Sequence, residues 1–166
     1  MIEAPKQLMA DVQRQIYHII LQHIPLHNAC HGFRKMHSCR SYAEPHAGKT
    51  VVLHMDLQNF FGSIPLRRIH ALFVTVGYRD SVARLLAGLC CHQTPIDIIN
   101  ENQPLCWQQR KQLMVPHLPQ GNPSSPALAN LAAYKLDLRL DALAKKMGAE
   151  YTRYADDRVP RAQCVA

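Results

Sequence analysis

The sequence predicts an α+β fold, and three stretches carry that prediction. Residues 50–56, Thr-Val-Val-Leu-His-Met-Asp, form a nearly continuous apolar run with β-branched residues, which reads as a strand covered on both faces. Residues 149–154 add a shorter run of aromatic and β-branched residues that reads as a second strand. Between them, Leu128, Ala132, Leu136, Leu140, Leu143 and Met147 recur at helical spacing, which predicts one long amphipathic helix with that stripe in the core.

In chain order, the first helix is predicted over 6–22, where Leu8, Val12, Ile16, Ile19 and Ile20 fall at helical spacing. The strand at 50–56 begins after Gly48-Lys49 and ends on Asp56. Ligand sites of sheet proteins tend to lie at that end of a strand, although a lone Asp there also serves as a turn or helix-cap residue. Phe60 and Phe61 follow; strand alternation would send them to opposite faces, one of them into the core. Helices are predicted over 66–76 and 80–92, while 95–114 is polar and ambiguous, with Trp107 a candidate anchor. Three prolines and a glycine in Leu118-Pro119-Gln120-Gly121-Asn122-Pro123-Ser124-Ser125-Pro126 exclude regular structure to about Pro123, and Ser124 to Pro126 can open the long helix. The unpaired N–H groups of such a helix start can face a phosphate or a base; the same string also reads as a capped loop before a core helix.

The acids concentrate at Tyr154-Ala155-Asp156-Asp157. Two adjacent carboxylates after a strand suit a tight turn. They repel, which pushes one of them toward protonation. A hard divalent cation such as Mg²⁺ relieves that conflict, because it prefers carboxylate oxygens. By itself Ala-Asp-Asp reads more readily as an ordinary polar surface turn.

In this order the segments resemble the palm of a reverse transcriptase, of the bacterial retron-like and group II intron-like branch. The matching strings are His31-Gly32-Phe33-Arg34-Lys35, Asp56-Leu57-Gln58-Asn59-Phe60-Phe61-Gly62-Ser63-Ile64, Leu118-Pro119-Gln120-Gly121 with the helix start after it, and Tyr151-Thr152-Arg153-Tyr154-Ala155-Asp156-Asp157. The resemblance implies a right-hand polymerase palm with partial fingers, an antiparallel sheet backed by helices. It implies an RNA-directed DNA polymerase, in which a primer 3′-hydroxyl attacks the α-phosphate of a deoxynucleoside triphosphate on an RNA template, with DNA or RNA as primer. Two Mg²⁺ ions, or Mn²⁺ in their place, would clamp the attacking and leaving oxygens roughly 4 Å apart. Asp56, Asp156 and Asp157 would supply the carboxylates and Leu57 a backbone carbonyl. The acids converge only if their strands are neighbours. Phe61 stands where the family places an aromatic gate against a 2′-hydroxyl, and Gln120 and Gly121 where it contacts the incoming nucleotide and template. Arg34, Lys35 and Tyr154 fall where template or primer is bound. Retrons, mobile introns and phage-defence systems share these motifs. His31-Gly32-Phe33 followed by Glu44-Pro45-His46, which resembles an Asn-Ala-x-x-His-type segment with its first two positions altered, slightly favours the retron branch.

The resemblance spans about 2–157 of a single domain read over 1–166. Residues 158–166 depart from the apolar strand that follows the aspartates in the family. Pro160 cannot donate a ladder hydrogen bond, so a central strand there is disfavoured. Set against the family the chain reads as truncated at both ends, with the thumb missing. The expectation is therefore an incomplete RNA-directed DNA polymerase domain whose activity as a fragment the sequence leaves open, or alternatively a non-catalytic remnant that binds nucleic acid.

Composition bounds this reading. Nineteen basic against twelve acidic residues give a net charge of +7, which suits a polyanionic partner. Six cysteines and ten histidines include no paired Cys-x-x-Cys motif, which argues against zinc. His31, His37 and Cys39 lie near Cys30 without metal-site spacing. The start of the chain lacks a signal-peptide pattern, and no apolar run approaches the roughly 20 residues that span a bilayer. A soluble, cytoplasmic protein with reduced cysteines is expected.

Overall fold

A computed structural model describes residues 3–101, 107–155 and 157–160. The chain forms two compact units, one from Met1–Ile24 with Asn59–Ala132, the other from Pro25–Gln58 with Ala133–Ala166.

The first unit is helical. It holds α1 (Gln7–Ile19), α3 (Leu66–Val76), α4 (Asp80–Cys90), α5 (Ile96–Glu101), α6 (Trp107–Leu113) and the first turns of α7 (Ser125–Lys146). Helix α3 occupies the predicted 66–76. It stops at Gly77, whose φ of 111° is open to glycine and whose N–H closes on the Phe73 and Val74 carbonyls. Ile69 and Phe73 of α3 are buried, as are Ala83 and Ala87 of α4, which packs against it; small residues there let the helices approach. Helix α1 is present but rotated from the predicted stripe. Its buried residues are Ala10, Gln13 and Ile16, while Leu8 and Ile19 lie open. The side chain of Gln13 donates to the Leu89 carbonyl at 2.8 Å, and this bond brings a polar residue to the inner face. Within the predicted stretch 95–114 the structure forms α5 and α6, and Trp107 is 72% exposed rather than a buried anchor. Phe60 and Phe61 lie in a turn rather than on a strand. Even so, only Phe60 is buried, with the rings 5.7 Å apart.

The second unit holds α2 (Cys39–Ala43), the rest of α7 and a three-stranded antiparallel sheet of β1 (Met55–Asp56), β2 (Tyr151–Tyr154) and β3 (Asp157–Pro160), in the order β1-β3-β2. The predicted strand at 50–56 shortens to Met55–Asp56. It lies at a sheet edge, and Val51, Val52 and Leu53 are exposed rather than covered on both faces. Pro160 does stand in the central strand. It pairs with Tyr151 at the strand's end, where the β1 ladder, which reaches only Arg158, does not need its missing N–H. The long helix at 125–146 forms as predicted, but its stripe drifts. Leu128 and Ala132 are buried, whereas Leu143 and Met147 are exposed and Ala133, Asp137 and Ala144 take the inner positions. Ala144 packs with Ala29 and Tyr151, flanked by Leu140 and Ala149, to make the small core of this unit.

Candidate active site

β1 ends on Asp56, which is exposed, and its Cα is the register partner of Asp157. Tyr154 on β2 is the other partner of Asp157, so the central strand sets Asp157 between Tyr154 and Asp56. The strands carrying Asp56 and Asp157 are thus direct neighbours. Leu57 follows at once and is half-buried. Asp156 lies outside the described residues. Among the described residues no group of three His, Cys, Asp or Glu side chains gathers as a metal site.

The turn leading to the acids is held from beneath by a buried charge pair. Arg153 and Asp137 both have fully buried side chains. The guanidinium donates from Nε to Asp137 Oδ1 at 2.8 Å and from Nη2 to Oδ2 at 2.9 Å, a two-pronged pairing. Its remaining arm, Nη1, donates to the Ala155 carbonyl at 2.8 Å. Tyr151 adds a hydroxyl donor to Asp137 Oδ1 at 2.9 Å. Burial works against the charge on Arg153, yet the hydrogen bond to Asp137 and the surrounding charges outweigh it and raise its pKa. Ala155, caught in this grip, has a φ of 55°, a left-handed conformation that a non-glycine residue holds only under constraint.

The outer side of β2 is lined by residues 29–31, which run parallel to it. Arg153 N–H donates to the Ala29 carbonyl at 2.7 Å, and His31 N–H donates to the Arg153 carbonyl at 2.8 Å. Gly32 then meets the turn so closely that a Cβ there would stand 2.4 Å from the Ala155 nitrogen. Thr152, also buried, donates its hydroxyl to the Tyr42 carbonyl at 3.1 Å. It must then accept from His46 Nε2, 2.5 Å away. The His31 to His46 segment therefore acts as a brace for the strand that delivers the aspartates. Tyr154 is half-buried, with its ring 5.7 Å from that of Tyr42.

Arg34 is half-buried and spends Nη1 on the His27 and Cys30 carbonyls, at 3.3 and 3.4 Å; Lys35 is exposed. Half-exposed Phe61 and exposed Gln120 and Gly121 belong to the first unit. There the Gln120 carbonyl accepts from Glu3 N–H at 2.8 Å, and the turn is set by buried Leu118, whose N–H donates to Ile64 O at 2.9 Å. Burial pushes the Cys90 thiol up to about 11 and, with Cys90 beside it, Cys91 up to about 12, so both stay protonated at neutral pH. The His31 and His37 rings do come within 5.0 Å of each other. Burial, then the charges of His37, Arg34 and His46, lower the His31 pKa.

Residues 1–160 match the family model described as reverse transcriptase (RNA-dependent DNA polymerase). The chain belongs to the reverse transcriptase family. Its relatives include two Myxococcus xanthus proteins. One is described as retron Mx65 reverse transcriptase, 35% identical over 95% of this chain and 36% of the relative; the other as retron Mx162 reverse transcriptase, 36% identical over 94% and 31%. An Escherichia coli protein described as retron Ec86 reverse transcriptase is 36% identical over 80% of the chain and 34% of the relative. The chain thus spans about a third of the length of these relatives, and among the described residues no helix is long and apolar enough to cross a membrane.

The supporting residues of this reverse transcriptase chain were harder to read than its acids. Asp137 takes an inner position of α7 beside the apolar stripe, where no local pattern marks it. An arginine inside a short strand, at Arg153, is the signal that a buried acid must lie opposite. Gly32 and Thr152 appeared only as letters of a motif, since their partners lie more than a hundred residues away in the chain.

Proposed function

We propose that this chain carries the catalytic palm segment of a retron-like, RNA-directed DNA polymerase, which extends a primer 3′-hydroxyl with deoxynucleotides on an RNA template. The observation that carries the reading is the Asp56–Asp157 register pair on adjacent antiparallel strands. Like charges at directly opposite positions are destabilising unless a cation lies between them, so this donor set fits a hard divalent ion better than it fits a structural role. Asp56, Asp156, Asp157 and the Leu57 carbonyl would hold the Mg²⁺ ions, which when bound offset the charge that develops on the transferring phosphoryl group.

The other residues position and select. The Arg153 guanidinium and the Gly32 contact fix the turn before the acids, and such rigidity is what a carboxylate site requires. Phe61, open beside buried Phe60, would pack on the sugar and exclude a 2′-hydroxyl. Gln120 and Gly121 would meet the incoming nucleotide and template, and Arg34, Lys35 and Tyr154 the template or primer. Primer extension on an RNA template with Mg²⁺ tests this directly, with Asp56→Asn and Asp157→Asn alongside. Extension by the parent chain that falls at least about a hundredfold in both variants is the expected result, since loss of a metal-held charge costs several kcal/mol. Extension that survives either substitution, or none from a chain that unfolds cooperatively, would sink the reading.

A further inference from the structure

Within the first unit, Glu3 grips the turn at 118–121 at two points. Its backbone N–H donates to the Gln120 carbonyl at 2.8 Å, and its carboxylate reaches the residue that leads into the turn, with Oε2 3.4 Å from His117 Nε2. Oε1 accepts from the Thr94 hydroxyl. His117 is fixed from the other side by its backbone: its N–H donates to the His92 carbonyl and its carbonyl accepts from His92 N–H, both at 2.9 Å. The His117 ring is buried, and both of its nitrogens face acceptors. Nδ1 lies 2.8 Å from the Val115 carbonyl, which can only accept, and Nε2 faces the Glu3 carboxylate. A neutral imidazole has one N–H and can serve one of the two; the imidazolium serves both.

We propose that Glu3 and His117 are positioning residues that form a proton-operated latch on the turn at 118–121, closed while His117 is charged and released when it gives up its proton. The latch bears on activity through the proposed contact of Gln120 and Gly121 with the incoming nucleotide, and its link to catalysis rests on that reading. Cations surround the pair. Lys6 lies along the cavity that Glu3 and His92 line, and Arg67, Arg68 and Lys111 along the one that His117 lines. Among the described residues lining the two cavities Glu3 is the one carboxylate, so His117 has no second acid to hold its proton. Burial opposes the imidazolium, but the bonds to Glu3 and the Val115 carbonyl outweigh it and keep its pKa above 6.5. Burial also opposes the Glu3 carboxylate, but the bonds from His117 and Thr94 and the charges of His117 and His92 keep its pKa below 4.5. The latch is therefore closed between those values, opens as pH rises through the raised His117 value, and opens again as pH falls through the depressed Glu3 value.

Amide hydrogen exchange of the full chain, read by NMR beside the titration of the His117 ring, tests the latch without calling on activity. Expressed as protection factors, which remove the intrinsic pH dependence of exchange, the residue-3 amide should lose about tenfold or more as pH rises through the His117 midpoint, because a hydrogen bond to a charged group is lost there. Glu3→Gln keeps the backbone donor and an acceptor for Thr94; in it the step should vanish and the His117 midpoint should fall. Thr94→Val removes the uncharged partner alone and should keep the step. In primer extension, KM for deoxynucleotide should rise over the same pH interval with kcat unchanged in the parent, and stay level in Glu3→Gln. Protection that is flat while His117 titrates, or a step that survives Glu3→Gln, would overturn the latch. A step in protection with a level KM would overturn its part in holding the nucleotide. A clear step in a chain that extends no primer would sustain the latch and count against the polymerase reading alone.

Discussion

Arg153 carries a full charge with its side chain wholly out of water, and the fold tolerates it only because every arm of the guanidinium is bonded. Removing one partner of such a pair leaves an uncompensated buried charge, at a cost of about 3–5 kcal/mol. Asp137→Asn and Arg153→Met should therefore each lower the free energy of urea unfolding by about that much. The double variant Arg153→Met/Asp137→Leu should recover much of the loss, since a well-packed apolar pair can replace a buried ion pair. It should not recover primer extension, because the Ala155 carbonyl loses its donor and the turn its fixed shape. Stability and activity that return together in the double variant would show that the pair only fills space. The presence of an acid opposite Arg153 could be read from the strand, but its identity could not. Asp137 is sixteen residues away on a helix whose inner face is fixed by packing, and an apolar stripe drawn at ideal spacing passes beside it.

At the scale of elements, the helices were the legible part, because periodicity and caps are local. Helix α3 is bounded by Pro65 and Gly77, the residues that stop it on any reading. The strands were not legible in the same way. β1 stops at Met55 although β3 runs on to Pro160, a limit that no local pattern in 50–56 encodes. Close packing around the turn gives a sharp prediction. Gly32→Ala sets a methyl 2.4 Å from the backbone nitrogen of Ala155, which backbone atoms cannot absorb cheaply. A cost of roughly 1–3 kcal/mol is expected from overpacking, measured by thermal melting, with extension lost beyond that share because the aspartate turn shifts. A second element-scale contact ties the segment before α1 to the loop before Leu118 through Glu3 and His117. Burial would raise the Glu3 pKa, but bonds from His117 and Thr94 outweigh it and lower it below 4.5. Burial would lower His117, but bonds to Glu3 and the Val115 carbonyl raise it above 6.5. The Glu3 contribution is present above 4.5 and fades as pH falls through its depressed value. The His117 contribution is present below 6.5 and fades as pH rises through its elevated value. The melting-temperature difference between the parent and Glu3→Gln should thus be largest between those two pH values and shrink on either side. A difference that is flat with pH would show that the pair is not ionic.

For the molecule as a whole, the apolar run at 51–53 has the largest consequence. Its residues suggested a strand covered on both faces, and the chemistry behind that reading is sound, since Val-Val-Leu gains by leaving water. Yet Val51, Val52 and Leu53 are 45%, 49% and 53% exposed, and they lead into β1 at the edge of the sheet. An edge strand offers unpaired N–H and C=O groups, and an apolar one beside it offers surface to bury, which together template pairing with another chain. A net charge of +7 opposes association, but at moderate salt the Debye length falls to about 8–10 Å and that repulsion acts only at short range. The purified 166-residue chain should therefore self-associate, and more strongly as salt rises, the reverse of what salt does to nucleic-acid binding. Sedimentation velocity over a range of concentration and salt measures this. Val52→Lys places a charge on the apolar run that leads into the edge strand, a device akin to the edge charges that natural sheets use against pairing, and should shift the population toward monomer without lowering the unfolding temperature. A chain that stays monomeric at high salt, or a Val52→Lys variant that associates as its parent does, would show that the run is already satisfied where it stands.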